Sequence, residues 1–315
     1  MADKATSLNG TPANMTPGDY DEPNYALEVI VGFFRNLIRW SLMLRESPIA
    51  IIGICLVTFW VMIAIFAPLV TSFDPNSNDF TALADPTPTW IPWADGHWLG
   101  TDHLGRDIWA RLVWGAQTVL IVAPTAVFCA YFVGCLMGML AGYMGGWVDM
   151  LLSRVSDIIL SFPVLILYII IISVWGSSMF NIVVAVTLSA SPGIGRIVRG
   201  MILDLRSHEY VDAAKIRGES PFYIMVVELL PNARGPLIVD ACVRTGYTII
   251  TIGVLGFLGL GLPPPDPDWG GMVKDTTAMM IIWPHMSLLP CVAISSLVIG
   301  FNLLADGLRE ISMRD

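Results

Sequence analysis

The residues of this chain best suited to chemistry are His97, Asp102, His103 and Asp107, which fall within eleven positions. Imidazole and carboxylate together ligate transition metals. The spacing is not compact, however: no two histidines stand at i, i+4, and Gly96, Gly100 and Gly105 mark a turn-rich loop. Asx-turn or helix-capping roles for Asp102 and Asp107 are more economical, so no metal is expected. Three charge pairs come next, Arg154–Asp157, Asp240–Arg244 and Asp306–Arg309. Ionisable groups in apolar segments are candidate proton relays, but each pair can neutralise itself near a helix end. No lone acid stands in the middle of an apolar run. The three lysines, Lys4, Lys215 and Lys274, follow no phosphate-loop spacing. No Ser/His/Asp or Cys/His set occurs, and Cys55, Cys129, Cys135, Cys242 and Cys291 show no CxxC spacing. The cysteines read as small apolar residues. The expectation is a chain that is not an enzyme and binds no cofactor of its own.

The elements that carry these residues are set by hydropathy. Of 315 residues, 55% are hydrophobic and only 14% charged, against roughly a quarter charged in a soluble domain. Uncharged runs cover 48–70, 112–148, 158–195, 245–265 and 280–305. A helix needs about 20 apolar residues to cross a bilayer, so the 38-residue run 158–195 must hold two, turning at Trp175–Asn181. The reading is an all-α polytopic membrane protein with six transmembrane helices, near 48–70, 112–142, 153–175, 179–198, 233–262 and 284–305. With the N-terminus inside, thirteen of the seventeen Lys and Arg residues fall on the cytoplasmic side and three on the other. That bias places both termini in the cytoplasm. The outer loop 71–111 is acidic, and Trp90, Trp93, Trp98, Trp109 and Trp114 suit a membrane boundary. The net charge of −9 argues against nucleic acid as a partner.

Residues 1–24 are polar, with no signal peptide pattern, and are expected to be a disordered cytoplasmic tail. Residues 25–46 carry Glu28, Gly32, Arg35 and Arg39 as a narrow stripe among apolar residues, which fits an interfacial amphipathic helix on membrane lipid. The transmembrane domain then occupies 47–315. Within it Gly134, Gly138, Gly142, Gly145 and Gly146 allow close helix approach, Gly138 and Gly142 on one small-xxx-small face. The stretch GFLGLGLPPP holds Gly256, Gly259, Gly261 and Pro263 and cannot stay a regular helix. It suits either a gate in a pathway or close packing and helix termination.

One polar interval interrupts the second half, inside the cytoplasmic loop 200–232. Asp204 to Arg217 is expected to form a short helix with Ala213 and Ala214 as a patch of little bulk. Gly218 permits a sharp left-handed turn. Ser220 and Pro221 then read as N-cap and first residue of a second short helix, which Pro231 closes before the fifth span. The elbow is expected to lie along the membrane, with charged rims from Asp212, Lys215, Arg217, Glu219 and Glu228.

The segment DAAKIRG, nine further residues and then ELLPN resembles the EAA loop of permease subunits of ABC importers. That loop reads Glu-Ala-Ala, three residues, Gly, nine residues and a short ending on Leu-Pro. The match falls on Asp212, Ala213, Ala214, Gly218, Leu230 and Pro231. Further pieces resemble the C-type permease of the dipeptide/oligopeptide/nickel group: LGTDHLGRDIWARLVWGAQ (99–117), SFPVLIL (161–167), GFLGLGLPPPDPDWGGMV (256–273) and FNLLADGLRE (301–310). Asp212 stands where the motif has Glu, and Glu228 where relatives commonly carry His.

The resemblance implies a type I ABC importer permease fold in a bacterial inner membrane, serving uptake of small peptides or related solutes. It implies a homologous B-type permease, two ABC ATPase subunits that bind ATP and Mg, and an extracytoplasmic solute-binding protein as partners. The ATPase-coupling residues would be Asp212, Ala213, Ala214, Lys215, Arg217, Gly218, Ser220, Pro221, Phe222, Glu228 and Pro231. The alternative is a carrier or channel driven by an ion gradient and working without ATPase subunits, which would favour mid-span acids and inverted repeats.

Overall fold

The computed structural model describes residues 47–77, 97–263 and 265–312, with side chains as far as residue 310. The expected tail, the interfacial helix 25–46 and residues 78–96 with Trp90 and Trp93 lie outside the described residues. The described residues form helices, with one isolated bridge between Thr101 and Asp107. In chain order these are α1 (Pro48–Ile65), α2 (Ala67–Val70), α3 (Ile108–Met144), α4 (Gly146–Leu160) and α5 (Val164–Trp175). They continue with α6 (Met179–Leu205), α7 (Glu209–Ile216), α8 (Pro221–Phe257), α9 (Trp269–Thr276) and α10 (Pro284–Ser312).

Five of these helices, α1, α3, α6, α8 and α10, have the length and apolarity to cross a membrane. The expected span 153–175 is different. It is broken into α4 and α5, which meet at 86°. The break falls at Ser161-Phe162-Pro163, because proline lacks the N–H that would continue α4 and disfavours helical geometry at Phe162. Counting the bent pair as one broken span gives six.

The seam that joins α3 to α6 is built on missing side chains. A Cβ on Gly134 would stand 2.7 Å from Ile194 Cβ, one on Gly138 2.6 Å from Gly195 O, and one on Gly142 2.9 Å from Ile202 Cβ. The spacing of four thus puts three glycines, not two, on the contact face, and the backbones approach through it. On α4, Asp149 holds Arg199 of α6 through two hydrogen bonds of 2.5 and 2.7 Å. Asp157 receives Arg196 of α6 at 2.5 Å rather than the Arg154 on its own helix. Of the three charge pairs read from the sequence, Asp240–Arg244 forms as expected, at 2.7 Å.

Two apolar clusters fill the bundle. The first centres on Trp60, Ile172, Ile249, Leu255 and Trp269. The Trp269 indole donates to Leu112 O at 2.9 Å and lies where a Cβ on Gly115 would be, 2.6 Å from its Cδ1. The second joins Ile194, Val198 and Ile202 of α6 to Val211 and Ala214 of α7 and to Ile224, Met225 and Leu229 of α8. It anchors the polar interval to the bundle.

Candidate functional site

The polar interval begins later than expected. Asp204 belongs to α6, and the turn Arg206–His208 separates it from α7, which starts at Glu209. At its other end α7 closes in a Schellman turn: Gly218 N–H donates to Lys215 O at 3.0 Å and Glu219 N–H to Ala214 O at 3.2 Å. That pattern places Gly218 in the left-handed region, and its φ is +83°. Ser220 then caps α8, its Oγ accepting from Tyr223 N at 3.2 Å, with Pro221 as the first helical residue.

Pro231 does not close this second helix. α8 runs on through it into the long apolar segment. The reason lies one turn earlier, where Ile224–Leu229 is a π turn and Leu230 N–H reaches back to Met225 O. A wider turn removes the collision between the proline ring and the carbonyl four residues before it, and spares the missing N–H. The elbow is therefore one short helix joined by Gly218 directly to a long one.

Its surface also differs from a two-alanine patch. Ala214 is fully buried in the second cluster, while Ala213 is exposed. On the same helix Ile216 is 87% exposed, and across the Gly218 turn Phe222, in the first turn of α8, is 68% exposed. Ile216 had a signal in the sequence, lying three residues past Ala213 and so on the same helix face. Around this apolar tip, Lys215 Nζ donates to Asp212 at 2.9 Å and Arg217 Nη2 to Glu228 at 2.9 Å. Arg217 also stands 3.7 Å from Glu219. Exposed pairs of this kind hold orientation more than they stabilise, at about 0–1 kcal/mol each. Glu228 is thereby given a partner, and the α7–α8 angle a strut.

Gly256, Gly259, Gly261 and Pro263 lie at the opposite end of α8, where the helix stops at Phe257. Gly259 has φ +80°. Cβ atoms on Gly256 and Gly261 would each come 2.2 Å from Asp268 Oδ2, and one on Gly259 2.3 Å from Lys274 Nζ. The three glycines thus make room for charged groups of the segment around α9, and Pro263 is exposed beside them. Asp268 caps α9 by accepting from Gly270 N at 3.1 Å and Gly271 N at 3.2 Å. Close by, Asp102 accepts from Leu104 N, Arg106 N and Arg106 Nε at 2.7–3.0 Å. Asp107 caps α3 and holds His97 Nδ1 at 2.9 Å. The acids of the His/Asp cluster are turn and cap acceptors, as the loop composition suggests.

Burial pushes the Asp268 carboxyl up to about 6, against the N–H groups of Gly270 and Gly271 and the charge of Arg111. Its folded value exceeds the ordinary value near 3.9. Its contribution to stability is therefore full below about pH 4 and is lost as pH rises through about 6. Asp268→Asn, which keeps one acceptor oxygen as the protonated acid does, is expected to flatten this component. Thermal unfolding of the detergent-solubilised chain at about pH 3.5 and about pH 7.5, the two sides of the transition, checks it. Identical pH dependence in the variant would remove Asp268 as its source.

Comparisons with known proteins agree with this architecture. Residues 134–314 match the family of binding-protein-dependent transport system inner membrane components, and residues 39–86 match the N-terminal TM domain of oligopeptide transport permease C. The dipeptide transport system permease protein DppC of Alkalihalophilus pseudofirmus is 40% identical over 297 residues, 94% of each chain. The glutathione transport system permease protein GsiD of Pectobacterium atrosepticum is 35% identical over 272 residues, 86% of this chain and 88% of that one. A chain from an inward-facing structure of the MetNI methionine ABC transporter superposes with a TM-score of 0.53 at 21% identity. It covers 64% of this chain and 95% of that one, and supports the type I importer permease fold. With its apolar helices and broken span, the chain belongs to the family of binding-protein-dependent inner-membrane permeases of ABC importers.

Proposed function

We propose that the chain is the C-type permease subunit of an ATP-driven importer of small peptides, and that its α7–Gly218–α8 elbow docks on a partner ATPase. The observation that carries the docking is the exposed apolar tip of Ile216 and Phe222, framed by the Lys215–Asp212 and Arg217–Glu228 pairs. An apolar anchor within a charged rim is the anatomy of a protein interface. Ala213 lets the partner backbone come close, and Ala214 fixes α7 to α6 and α8 behind it. Movement of the elbow is thereby passed to the bundle by packed side chains, with both termini and the elbow on the cytoplasmic side. Two ABC ATPases, a homologous B-type permease and an extracytoplasmic binding protein complete the assembly. ATP and Mg bind in the ATPases. Small peptides are the solutes named for relatives that this chain resembles over most of its length.

Purification from the native membrane in mild detergent is expected to recover the chain with a second permease and two ATPases. Ile216→Asp combined with Phe222→Asp is expected to reduce ATPase recovery about tenfold, the effect of losing an interface anchor, and to leave the second permease bound. Transport by the purified chain alone, driven by an ion gradient, would establish the carrier reading instead.

A further inference from the structure

Asp240 and Arg244 sit one turn apart on α8, and Arg244 Nε donates to Asp240 Oδ2 at 2.7 Å. The same oxygen accepts from Tyr131 Oη of α3. A guanidinium has five N–H donors, and this carboxylate engages only the one on Nε. Nη1 and Nη2 lie against Gly193 of α6, where a Cβ would stand 3.9 and 4.0 Å from them. Arg244 lines a cleft of about 310 Å³ between α3, α5, α6 and α8, and the Tyr131 hydroxyl also engages its guanidinium.

The pair is deeper than a helix-end reading of the sequence suggests. Arg244 lies thirteen residues from the Phe257 end of α8, about 20 Å at 1.5 Å per residue, so a hydrocarbon core of about 30 Å that begins at that end would enclose it. A guanidinium facing lipid at that depth is disfavoured by roughly 3 kcal/mol or more. The cleft instead gathers polar groups around it: Ser189 and Tyr168, whose hydroxyls hydrogen-bond at 2.8 Å, with Tyr247, Thr248 and Thr251 on α8. Arg244 is the charged residue among those lining the cleft, and Asp240 stands behind it. An occupant therefore meets the N–H donors of a guanidinium backed by Asp240, several hydroxyls and apolar walls, in a volume at the low end of ligand pockets (about 300–1,000 Å³).

We propose that this cleft is a passage subsite for a small carboxylate-bearing solute, with Arg244 Nη1 and Nη2 taking the carboxylate bidentately. Asp240 and Tyr131 are positioning residues that fix the guanidinium plane. A planar fork facing a carboxylate is the geometry in which arginine surpasses lysine. The inference rests on the peptide-importer reading and assigns the part of the peptide that this chain recognises.

The test uses the assembled importer. Because the binding protein makes its own selection, contact is read without it, by saturation-transfer NMR of the detergent-solubilised complex with Ala-Ala and with the C-terminal amide of Ala-Ala. The wild type is expected to favour the free carboxylate, and Arg244→Gln to bring both ligands to the same weak signal. Arg244→Lys is expected to restore part of the preference. Asp240→Asn with Arg244→Gln, which leaves neither charge without its partner, should reproduce the loss in a folded complex. In proteoliposomes with the binding protein and ATP, Arg244→Gln and the double variant should each lower Ala-Ala uptake about tenfold, the size of one charge-assisted contact. An unchanged preference in both variants, or none in the wild type, overturns the subsite. Loss of the second permease with the preference intact would assign Arg244 to the subunit interface and also overturn it. A wild-type importer that takes up no peptide would instead overturn the peptide reading, and the subsite with it.

Discussion

Gly218→Val is expected to insert, fold and assemble, yet to hydrolyse ATP without driving uptake. Nothing lies within 4 Å of a Cβ built at Gly218, so the effect is confined to the backbone. At φ +83° an L-residue is disfavoured by about 1–2 kcal/mol, and a β-branched one is an outlier there. Relief comes by turning the residue to negative φ. That breaks the bonds from Gly218 N to Lys215 O and from Glu219 N to Ala214 O and redirects the chain into Ser220. The Arg217–Glu228 strut then loses its geometry, and the apolar tip no longer moves as one body with α8. Proteoliposomes containing the full importer, assayed in parallel for phosphate release and peptide uptake, read the ratio directly. Asn tolerates the left-handed region, so Gly218→Asn should retain most coupling, with Gly218→Ala between the two. A wild-type ratio of uptake to hydrolysis in Gly218→Val would show that the turn is not part of the transmission.

Gly138→Val is expected to lose the folded chain rather than its coupling. Its Cβ would stand 2.6 Å from both Gly195 O and Val198 Cβ, before either extra methyl is placed. Neither neighbour is a flexible tip, so α3 and α6 must separate along the seam that Gly134 and Gly142 also form. Overpacking of this kind destabilises by about 1–3 kcal/mol, occasionally more, and here it spreads over three turns of two spanning helices. Fluorescence size-exclusion chromatography of the detergent extract should show loss of the monodisperse peak, with Gly138→Ala intermediate. Gly200→Ala on α6, where a Cβ meets nothing within 4 Å, is the control and should behave as wild type. An intact peak and unchanged melting for Gly138→Val would mean that the seam is looser than its geometry indicates.

The elbow shows how far local chemistry carries. Ser220-Pro221 announces a capped helix start, and Gly218 a left-handed turn, because both depend on backbone preferences of a few adjacent residues. The Pro163 break was equally local and could have been read from SFPVLIL, but the apolar run 158–195 concealed it. Pro231 misleads for the opposite reason. Its usual effect is to end a helix, yet the π turn at Ile224–Leu229 just before it relieves the clash, and that turn has no signature in single-residue propensities. Asp157 likewise finds Arg196 across the bundle rather than Arg154 on its own helix, since three residues of spacing do not say which cation packing brings nearest.

The sequence by itself determined the membrane class, most of the spanning segments, the caps and turns of the elbow, and the turn role of Asp102 and capping role of Asp107. All of these follow from hydropathy and from preferences acting over one or two helical turns. The tertiary structure decided which face each residue shows. It turned Ala214 inward and left Ala213, Ile216 and Phe222 exposed. It set three glycines of α3 against α6, and it placed the Nη groups of Arg244 over Gly193 in a cleft. These outcomes depend on the register between helices distant in sequence, which side-chain packing selects and no local pattern encodes.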